Sequence, residues 1–425
     1  MSHGHKTLSY LQKKSSGKIL QFILFFPVIC LFYLLVWPVE IDPVAWESPA
    51  PPAMEGNYQP NAFLKNINVL GAHKGPEDIV FDKDNCNMYA GYHDGIIRRI
   101  SSTNLYETGW ECLSDETKTR LGTGNFLPTT GSAKKHRNIA GYWDYNGNYY
   151  LDNEVFFYDT KGRPLGMAID SNNNLIVADA VKGLIAINQE GVATTLSTKS
   201  DSDGIPMKFT DDLDIASDGK IYFSDASSVY SIGEDRLDLM EHRPHGRLLV
   251  YDPQTKKTTT LMNNLYFANG VAVAPDDSFV LVNETYMYRI HKYWLKGDKA
   301  GTSEIIIDNL PGFPDNISSN GEGIYWVALF TIRNDFLEQT ADKPFLRKLA
   351  LRLPEFLQPQ PEPYAFVLGI NDNGKVIHNL QYGAENAYSP ITSVKEYGDF
   401  LFFGSLTHAG FGRIKTPKLK VPYSE

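Results

Sequence analysis

The chain has 425 residues, with 34 glycines and 24 prolines, which is enough for one large core or for two domains. Its formal net charge of −10 gives no support for nucleic-acid binding. A mean hydropathy of −0.29 suits a soluble body.

Residues 19–37, ILQFILFFPVICLFYLLVW, do not suit a soluble body: they carry no charge. Crossing the hydrocarbon core takes about 20 apolar residues, and Pro27 is tolerated in such a helix. Lys6, Lys13, Lys14 and Lys18 precede the run, while Glu40, Asp42 and Glu47 follow it. The positive-inside rule then predicts a single-pass protein. Residues 1–18 form a cytoplasmic tail, residues 19–37 contact membrane lipid, and the body is extracellular, periplasmic or lumenal. The competing reading is a cleaved signal peptide. Its apolar region would be about 7–15 residues with a small-residue cleavage site, whereas this run is longer and continues PVEID. Residues 38–61 hold several prolines and read as an extended linker.

Of three cysteines, Cys30 lies in the apolar run. Cys86 and Cys112 allow one disulfide in an oxidising compartment, or two free thiols. NET at 283–285 and NIS at 316–318 match the glycan acceptor pattern, so Asn283 is a candidate glycosylation site.

From residue 62 to 418 the chain repeats one unit: an apolar strand, a Gly/Asp/Asn turn, and a second strand with aromatics. The copies are PEDIVFDKDNCNMYAGYHDGIIRRI at 76–100, RPLGMAIDSNNNLIVADAVKGLIAI at 163–187, DDLDIASDGKIYFSDASSVYSI at 211–232, FANGVAVAPDDSFVLVNETYMYRI at 267–290, DNISSNGEGIYWVAL at 315–329 and ITSVKEYGDFLFFGSL at 391–406. The closer copies start about 45–60 residues apart, which suits four-stranded propeller blades of roughly 40–50 residues. The expected fold is all-β, a six-bladed β-propeller behind an N-terminal transmembrane helix; a two-domain β protein is the rival. Insertions fall at about 122–160 and 331–362, the second holding FLRKLALRL, a helix closed by Pro354. They are expected at the entrance or against the membrane. Residues 62–70 are expected to give a strand to the last blade, and 419–425 form a tail.

The first side chain of each innermost strand can point into the central channel. The onsets offer Glu77, nothing at Gly166, Asp211, Asn269, Asp315, and Ser389 or Pro390. Ca²⁺ takes six to eight oxygen ligands, and carboxylates with an amide form such a set. The absence of His and Cys at the onsets argues against zinc or copper. Taken singly, each of these residues is a turn residue; it is the repeat that makes them a set. Glu77, Asp211, Asn269 and Asp315 are therefore the candidate calcium ligands.

These motifs resemble the strictosidine synthase-like family, and within it the adipocyte plasma membrane-associated protein and hemomucin group. The stretches that carry the resemblance are GPEDIVFD at 75–82, GRPLGMAID at 162–170, DAVKGLIAIN at 179–188, DDLDIASDGKIYFSD at 211–225, FANGVAVAPDD at 267–277, LPGFPDNIS at 310–318, GIYWVALFTIRN at 323–334 and YGDFLFFGSL at 397–406. The wider superfamily includes gluconolactonases, paraoxonases and a phosphotriesterase. The resemblance implies a central Ca²⁺ on Glu77, Asp211, Asn269 and Asp315, with Asn316 as a further contact. The family usually has Asn where this chain has Asp211, a swap that keeps an oxygen ligand. The plant synthase's catalytic glutamate would fall on Thr392 and a nearby histidine on Pro390, so the amine–aldehyde condensation is not expected.

The implied function is a membrane-anchored, calcium-dependent hydrolase of a small ester or lactone. Asp315 or Asp211 would act as base or nucleophile, and His93, His245 and His408 are further candidate bases. No GxSxG elbow is present. The alternative is a membrane-tethered binding or adhesion propeller with a structural calcium.

Overall fold

Short runs of Val, Ile, Leu, Phe and Tyr bounded by Gly, Asn and Asp fold as strands. Branched and aromatic side chains suit a pleated, half-buried surface, and the small polar residues suit its turns. The computed structural model describes residues 25–82, 87–101, 141–143, 149–151 and 154–418. Strand β1 (Asn68–Lys74) comes first in the chain and last in the ring. Blade 1 holds β2 (Ile79–Asp82), β3 (Asn87–Gly91) and β4 (Ile96–Ser101). After a hairpin of β5 (Gly141–Trp143) and β6 (Tyr149–Leu151) it is completed by β7 (Glu154–Asp159). Blade 2 is β8 (Pro164–Ile169), β9 (Leu175–Asp179), β10 (Gly183–Ile187) and β11 (Ala193–Ser197). Blade 3 is β12 (Thr210–Ile215), β13 (Ile221–Asp225), β14 (Gly246–Asp252) and β15 (Lys257–Leu265). Blade 4 is β16 (Ala268–Val273), β17 (Phe279–Glu284), β18 (Arg289–Trp294) and β19 (Ser303–Ile307). Blade 5 is β20 (Gly312–Ser319), β21 (Tyr325–Ile332), β22 (Tyr364–Ile370) and β23 (Val376–Gly383). Blade 6 joins β24 (Val394–Tyr397), β25 (Phe400–Phe403) and β26 (Ala409–Lys415) to β1.

These six sheets confirm the all-β propeller. The innermost strands β8, β12, β16 and β20 contact one another in succession. Strands β16 and β17 are buried along their whole length, while the outer strand β19 is mostly exposed. The core is therefore a ring of layers between blades. One layer sets Leu248 of blade 3 against Val271 and Val280 of blade 4, and another sets Val367 of blade 5 against Leu401 and Phe403 of blade 6. Each fully buried large side chain stabilises the ring by about 1.5–3 kcal/mol.

The ring closes where β1 pairs antiparallel with β26, with Val69 opposite Gly412. The closing strand starts later than the expected 62–70, because Phe63–Asn66 forms a 3₁₀ turn whose Phe63 N–H donates to Asn61 Oδ1 at 3.1 Å. The stretch before it runs along the edge strand β23. Gln381 Nε2 donates to Tyr58 O at 3.0 Å and Asn379 Nδ2 to Gln59 O at 2.9 Å. An exposed strand edge is thereby covered.

The membrane-spanning helix expected over 19–37 is corrected. Among the described residues no helix is long and apolar enough to cross a membrane. The described part of the helix there, residues 25–36, ends before Pro38, which cannot continue it. The lipid contact, the transmembrane topology and the compartment inferred from that span lose their support with it. The expected tails at 1–18 and 419–425 lie outside the described residues, as do Cys86 and Cys112.

Two compact units are present: residues 1–48 with 335–360, and residues 49–334 with 361–425. In the smaller unit the expected helix is Pro344–Leu351, with Pro344 in its first turn, and it ends ahead of Pro354. Arg352 Nε donates to Trp37 O at 2.6 Å and its Nη1 to Leu34 O at 3.0 Å, satisfying carbonyls at the end of the preceding helix. In the propeller, the strand-like NEVFFYD lies in the insertion expected at 122–160 but forms β7, the outer strand of blade 1. The chain between β4 and β7 leaves that blade from the end opposite Glu77.

Blades 4 and 5 meet closely at Gly270. A Cβ built there would lie 2.4 Å from Ile317 N and 2.5 Å from Asp315 O. Gly270→Ala should therefore lower unfolding stability by about 1–3 kcal/mol or more in a denaturant titration; an unchanged midpoint would contradict the packing described.

Candidate metal centre in the propeller channel

Every innermost strand carries a β-bulge near its start. In blade 3, Thr210 pairs with Asp225 and Leu213 with Phe223, so Asp211 and Asp212 together face the single residue Ser224. Equivalent pairings put Leu165 and Gly166 opposite Ala178, Asn269 and Gly270 opposite Asn283, and Asp315 and Asn316 opposite Ala328. In blade 1, Glu77 N donates to Gly91 O while Gly91 N donates to Asp78 O. In blade 6, Thr392 and Ser393 bond to Gly404 in the same way. A bulge re-aims side chains, and here it makes two rings from six doublets.

The first members are Glu77, Leu165, Asp211, Asn269, Asp315 and Thr392. The structure thus brings the four predicted ligands into one register and corrects two positions. Leu165, not Gly166, is the blade 2 residue, and Thr392, not Ser389 or Pro390, is the blade 6 residue. Aligning the copies on the apolar residue after each doublet (Ile79, Met167, Leu213, Val271, Ile317, Val394) would have found both.

The acids of this ring are almost fully buried: Glu77 is 2% exposed, Asp211 4% and Asp315 6%. Burial, then Asp78 and Asp211, raises the Glu77 pKa well above the carboxylate range. Burial and Asp315 raise Asp211, and burial and Glu77 raise Asp315, against a hydrogen bond from Asn269. Asn316 Nδ2 donates to Glu77 Oε1 at 2.9 Å. Glu77 Oε2, Asn269 Oδ1 and Asn316 Oδ1 are buried with no hydrogen-bond partner. Buried acceptors left in this state are costly. Among the described residues, no group of three or more His, Cys, Asp or Glu is gathered tightly enough to hold a metal by itself. The orphaned oxygens are shared between carboxylates and amides, and that all-oxygen set fits a hard cation such as Ca²⁺.

The second members bind the next blade. Asp78 Oδ2 accepts from Met167 N at 3.1 Å, Asp212 Oδ2 from Val271 N at 2.9 Å, and Ser393 Oγ donates to Glu77 O at 2.7 Å. Below them Lys395 Nζ lies 3.4 Å from Asp78 Oδ2. Burial alone would lower the Lys395 pKa, but Asp78, Asp212 and Asp214 raise it. Asp212 is pushed up to about 7, chiefly by burial and against Lys395.

Two residues before each channel residue, on the same face of the strand, stand Gly75, Arg163, Phe209, Phe267, Phe313 and Pro390. Buried acids at the ends of the second strands hold three of these approaches. Asp179 Oδ1 accepts from Arg163 N at 3.2 Å, Asp225 Oδ1 from Phe209 N at 3.0 Å, and Glu284 Oε1 from Tyr266 N at 2.8 Å. This collar and the acids beneath it went unread in the sequence, although the strand ends VAD, FSD and VNE repeat.

The sequence comparisons agree with this geometry. The Strictosidine synthase signature matches residues 211–298, and the Strictosidine synthase-like N-terminal signature matches 56–100. Protein STRICTOSIDINE SYNTHASE-LIKE 3 of Arabidopsis thaliana is 35% identical over 347 residues, covering 80% of this chain and 82% of the relative. The chain belongs to the strictosidine synthase-like family. Another member, the adipocyte plasma membrane-associated protein of Rattus norvegicus, is 33% identical over 390 residues, covering 89% of this chain and 93% of the relative. The fold is shared with a gluconolactonase from Xanthomonas campestris at a TM-score of 0.51 and 13% identity, covering 89% of this chain and 99% of that one. A distant fold neighbour, regucalcin from Agrobacterium tumefaciens, is a calcium-binding protein; at 11% identity, a TM-score of 0.46 and coverage of 82% and 91%, it overlaps too loosely to carry an argument.

Among the described residues, no candidate histidine of this strictosidine synthase-like chain pairs with Glu77, Asp211 or Asp315. His93 is exposed; burial, Arg163 and Lys74 lower its pKa. His245 Nδ1 lies 3.1 Å from Asp238 Oδ1, and His408 stacks on Tyr388 at 4.4 Å between ring centres. Asn283 is fully buried and donates to Asp315 O, so a glycan has no access to it, which corrects that expectation; Asn316 is 2% exposed.

Acids whose folded pKa is raised bind more protons folded than unfolded. Stability without a divalent ion should therefore fall as pH rises from the ordinary carboxylate range toward neutrality. Melting in EGTA from pH 5 to 8 should show this decline, and excess Ca²⁺ should reverse it at pH 8. A flat profile, unmoved by Ca²⁺, would contradict the channel electrostatics.

Proposed function

We propose that this chain is a calcium-dependent hydrolase of esters or lactones, with its site at the mouth of the channel. The observation that carries the reading is the set of partnerless, buried oxygens on Glu77, Asn269 and Asn316, in register with Asp211 and Asp315. Glu77, Asp211, Asn269 and Asp315 would hold the ion, with Asn316 as a further contact. A bound ion there supplies Lewis-acid polarisation of a carbonyl or phosphoryl oxygen.

The chain's own residues do the rest. Asn269 and Asn316 fix Asp315 and Glu77 by side-chain hydrogen bonds. Asp211 or Asp315 serves as the base that takes a proton from the attacking water. The apolar collar limits bulk water around the reacting bond. His93, exposed and beside Gly75 at the collar, is a further candidate base. Thr392 occupies the position where the plant synthase has its catalytic glutamate, and its hydroxyl donates to Glu77 O at 3.0 Å. With no carboxylate there, amine–aldehyde condensation has no base.

The near-complete burial of the same residues favours a second reading, a binding propeller whose ion is purely structural. Turnover of phenyl acetate and of an aromatic lactone decides between them. The hydrolase reading expects EGTA to abolish turnover, and Asn269→Ala and Asp315→Ala each to lower kcat/KM about a hundredfold or more. If no EGTA-sensitive turnover appears across such a panel while EGTA still lowers the melting temperature, the structural reading holds.

A further inference from the structure

The collar is almost wholly apolar except at one point. Phe209, Phe267 and Phe313 are 4%, 7% and 6% exposed. The Phe209 and Phe267 rings meet edge to face at 5.3 Å, and Phe267 stacks on Tyr286 at 4.6 Å. Phe313 meets Tyr288 edge to face at 5.0 Å. Phe267 takes a φ of 63°, a conformation that costs a non-glycine residue free energy and gathers at ligand sites. Backbone bonds from Thr285 N to Phe267 O at 3.0 Å and from Tyr286 N to Tyr266 O at 3.1 Å keep it there. The strained backbone and the Glu284 anchor thus hold the Phe267 ring against Tyr286, whose hydroxyl feels the charge of Asp211 and Asp315.

Arg163 is the exception. Its side chain is in the same collar position and only 5% exposed. Nη1 donates to Gly75 O at 3.1 Å, but the buried Nη2 donates to nothing. A Cβ at Gly75 would meet Leu406 O at 2.7 Å and His93 Cβ at 3.0 Å, with Arg163 Nη2 alongside at 3.4 Å. Glu77, Asp179 and Asp211 favour its charge electrostatically, yet none takes the Nη2 hydrogens. A buried guanidinium donor with no acceptor is a large cost, and an oxygen anion is the partner its fork geometry suits.

We infer that the channel mouth binds an apolar monocarboxylate, its hydrocarbon body among Phe209, Phe267 and Phe313 and its carboxylate on Arg163 Nη2. This rests on the proposed hydrolase reading in one respect: such an acid is what water releases from an ester or opens from a lactone. Water's hydroxyl joins the acyl carbon as the acyl–oxygen bond breaks, and its proton goes to the leaving oxygen, which departs as the alcohol of an ester or stays attached as the hydroxyl of the opened lactone. The site then selects apolar acyl groups and disfavours polyhydroxylated ones, whose hydroxyls would meet three phenyl rings without acceptors.

Calorimetric titration of the calcium-loaded full chain tests this with 4-phenylbutyrate, its neutral analogue 4-phenylbutyramide, and butyrate, which lacks the ring. The wild type should bind 4-phenylbutyrate, with the amide and butyrate each about tenfold weaker or more. Arg163→Met should equalise the acid and the amide, Arg163→Lys should keep part of the preference, and Phe313→Ala should weaken both ligands together. Melting curves confirm that each variant is folded. Equal binding of acid and amide by the wild type, no binding of either, or a preference that survives in Arg163→Met would overturn the inference. Binding is read without turnover, so the two claims fail separately. Selective binding without hydrolysis sinks only the hydrolase reading, and hydrolysis without selectivity sinks only this one.

Discussion

Near the start of each innermost strand, two consecutive residues face one residue of the neighbouring strand, and the rest of the molecule follows from that bulge. The first residues include the acids of the channel, and the second residues Asp78, Asp212 and Ser393 bond to the next blade, while Asn316 bonds to Glu77. Small residues opposite the bulge, Gly91, Ala178, Ser224, Ala328 and Gly404, leave room for the adjoining backbone. At Gly404 that room is essential, since a Cβ there would lie 1.9 Å from Glu77 O. The device that joins the blades is therefore the device that fills the channel with oxygen atoms. A change that relaxed the bulge would loosen the ring and scatter the candidate ligands together.

Such a channel has an electrostatic cost. Glu77, Asp78, Asp211, Asp212 and Asp315 are all buried around one axis. The protein offsets part of that charge itself, with Lys395 beneath the ring and Arg163 above it. The division of labour is spatial. Lys395 sits among the second members, Asp78 and Asp212, whose carboxylates also bind the N–H groups of Met167 and Val271. The first members have no such resident cation; Glu77 Oε2 and Asn269 Oδ1 lack partners there, as do Asp78 Oδ1 and Asn316 Oδ1 among the second members. A hard divalent ion would complete the arrangement, and under the proposed function its Lewis acidity beside an apolar collar would make a closed ring hydrolytic.

How much of this is legible in the sequence depends on period. The recurrence of GMAID, DIASD, VAVAPDD and their partners reveals six blades, because a strand pair with its turn leaves a local pattern. Glu77, Asp211, Asn269 and Asp315 fall into register for the same reason. Gly166 is taken for the blade 2 channel residue because a bulge adds one residue that alternation does not count; pairing shows Leu165. Arg163, Phe209, Phe267 and Phe313 look like ordinary residues before a strand, since only the ring brings them to one mouth. The apolar run at 19–37 misleads in another way. Composition over 19 residues satisfies the length of a membrane span, yet among the described residues no helix is long and apolar enough to cross one, and Pro38 and the carbonyls taken by Arg352 mark the end of the helix there. NET at 283–285 reads as a glycan acceptor, yet Asn283 is the residue opposite the blade 4 bulge and is buried by the fold itself.

The account turns on whether these six doublets hold a hard cation on the channel axis. Anomalous diffraction from crystals of the calcium-loaded chain measures that directly. It should show one peak on the axis, within bonding distance of oxygens from Glu77, Asp211, Asn269 and Asp315. An axis without a peak, or an ion held by other residues, would contradict it.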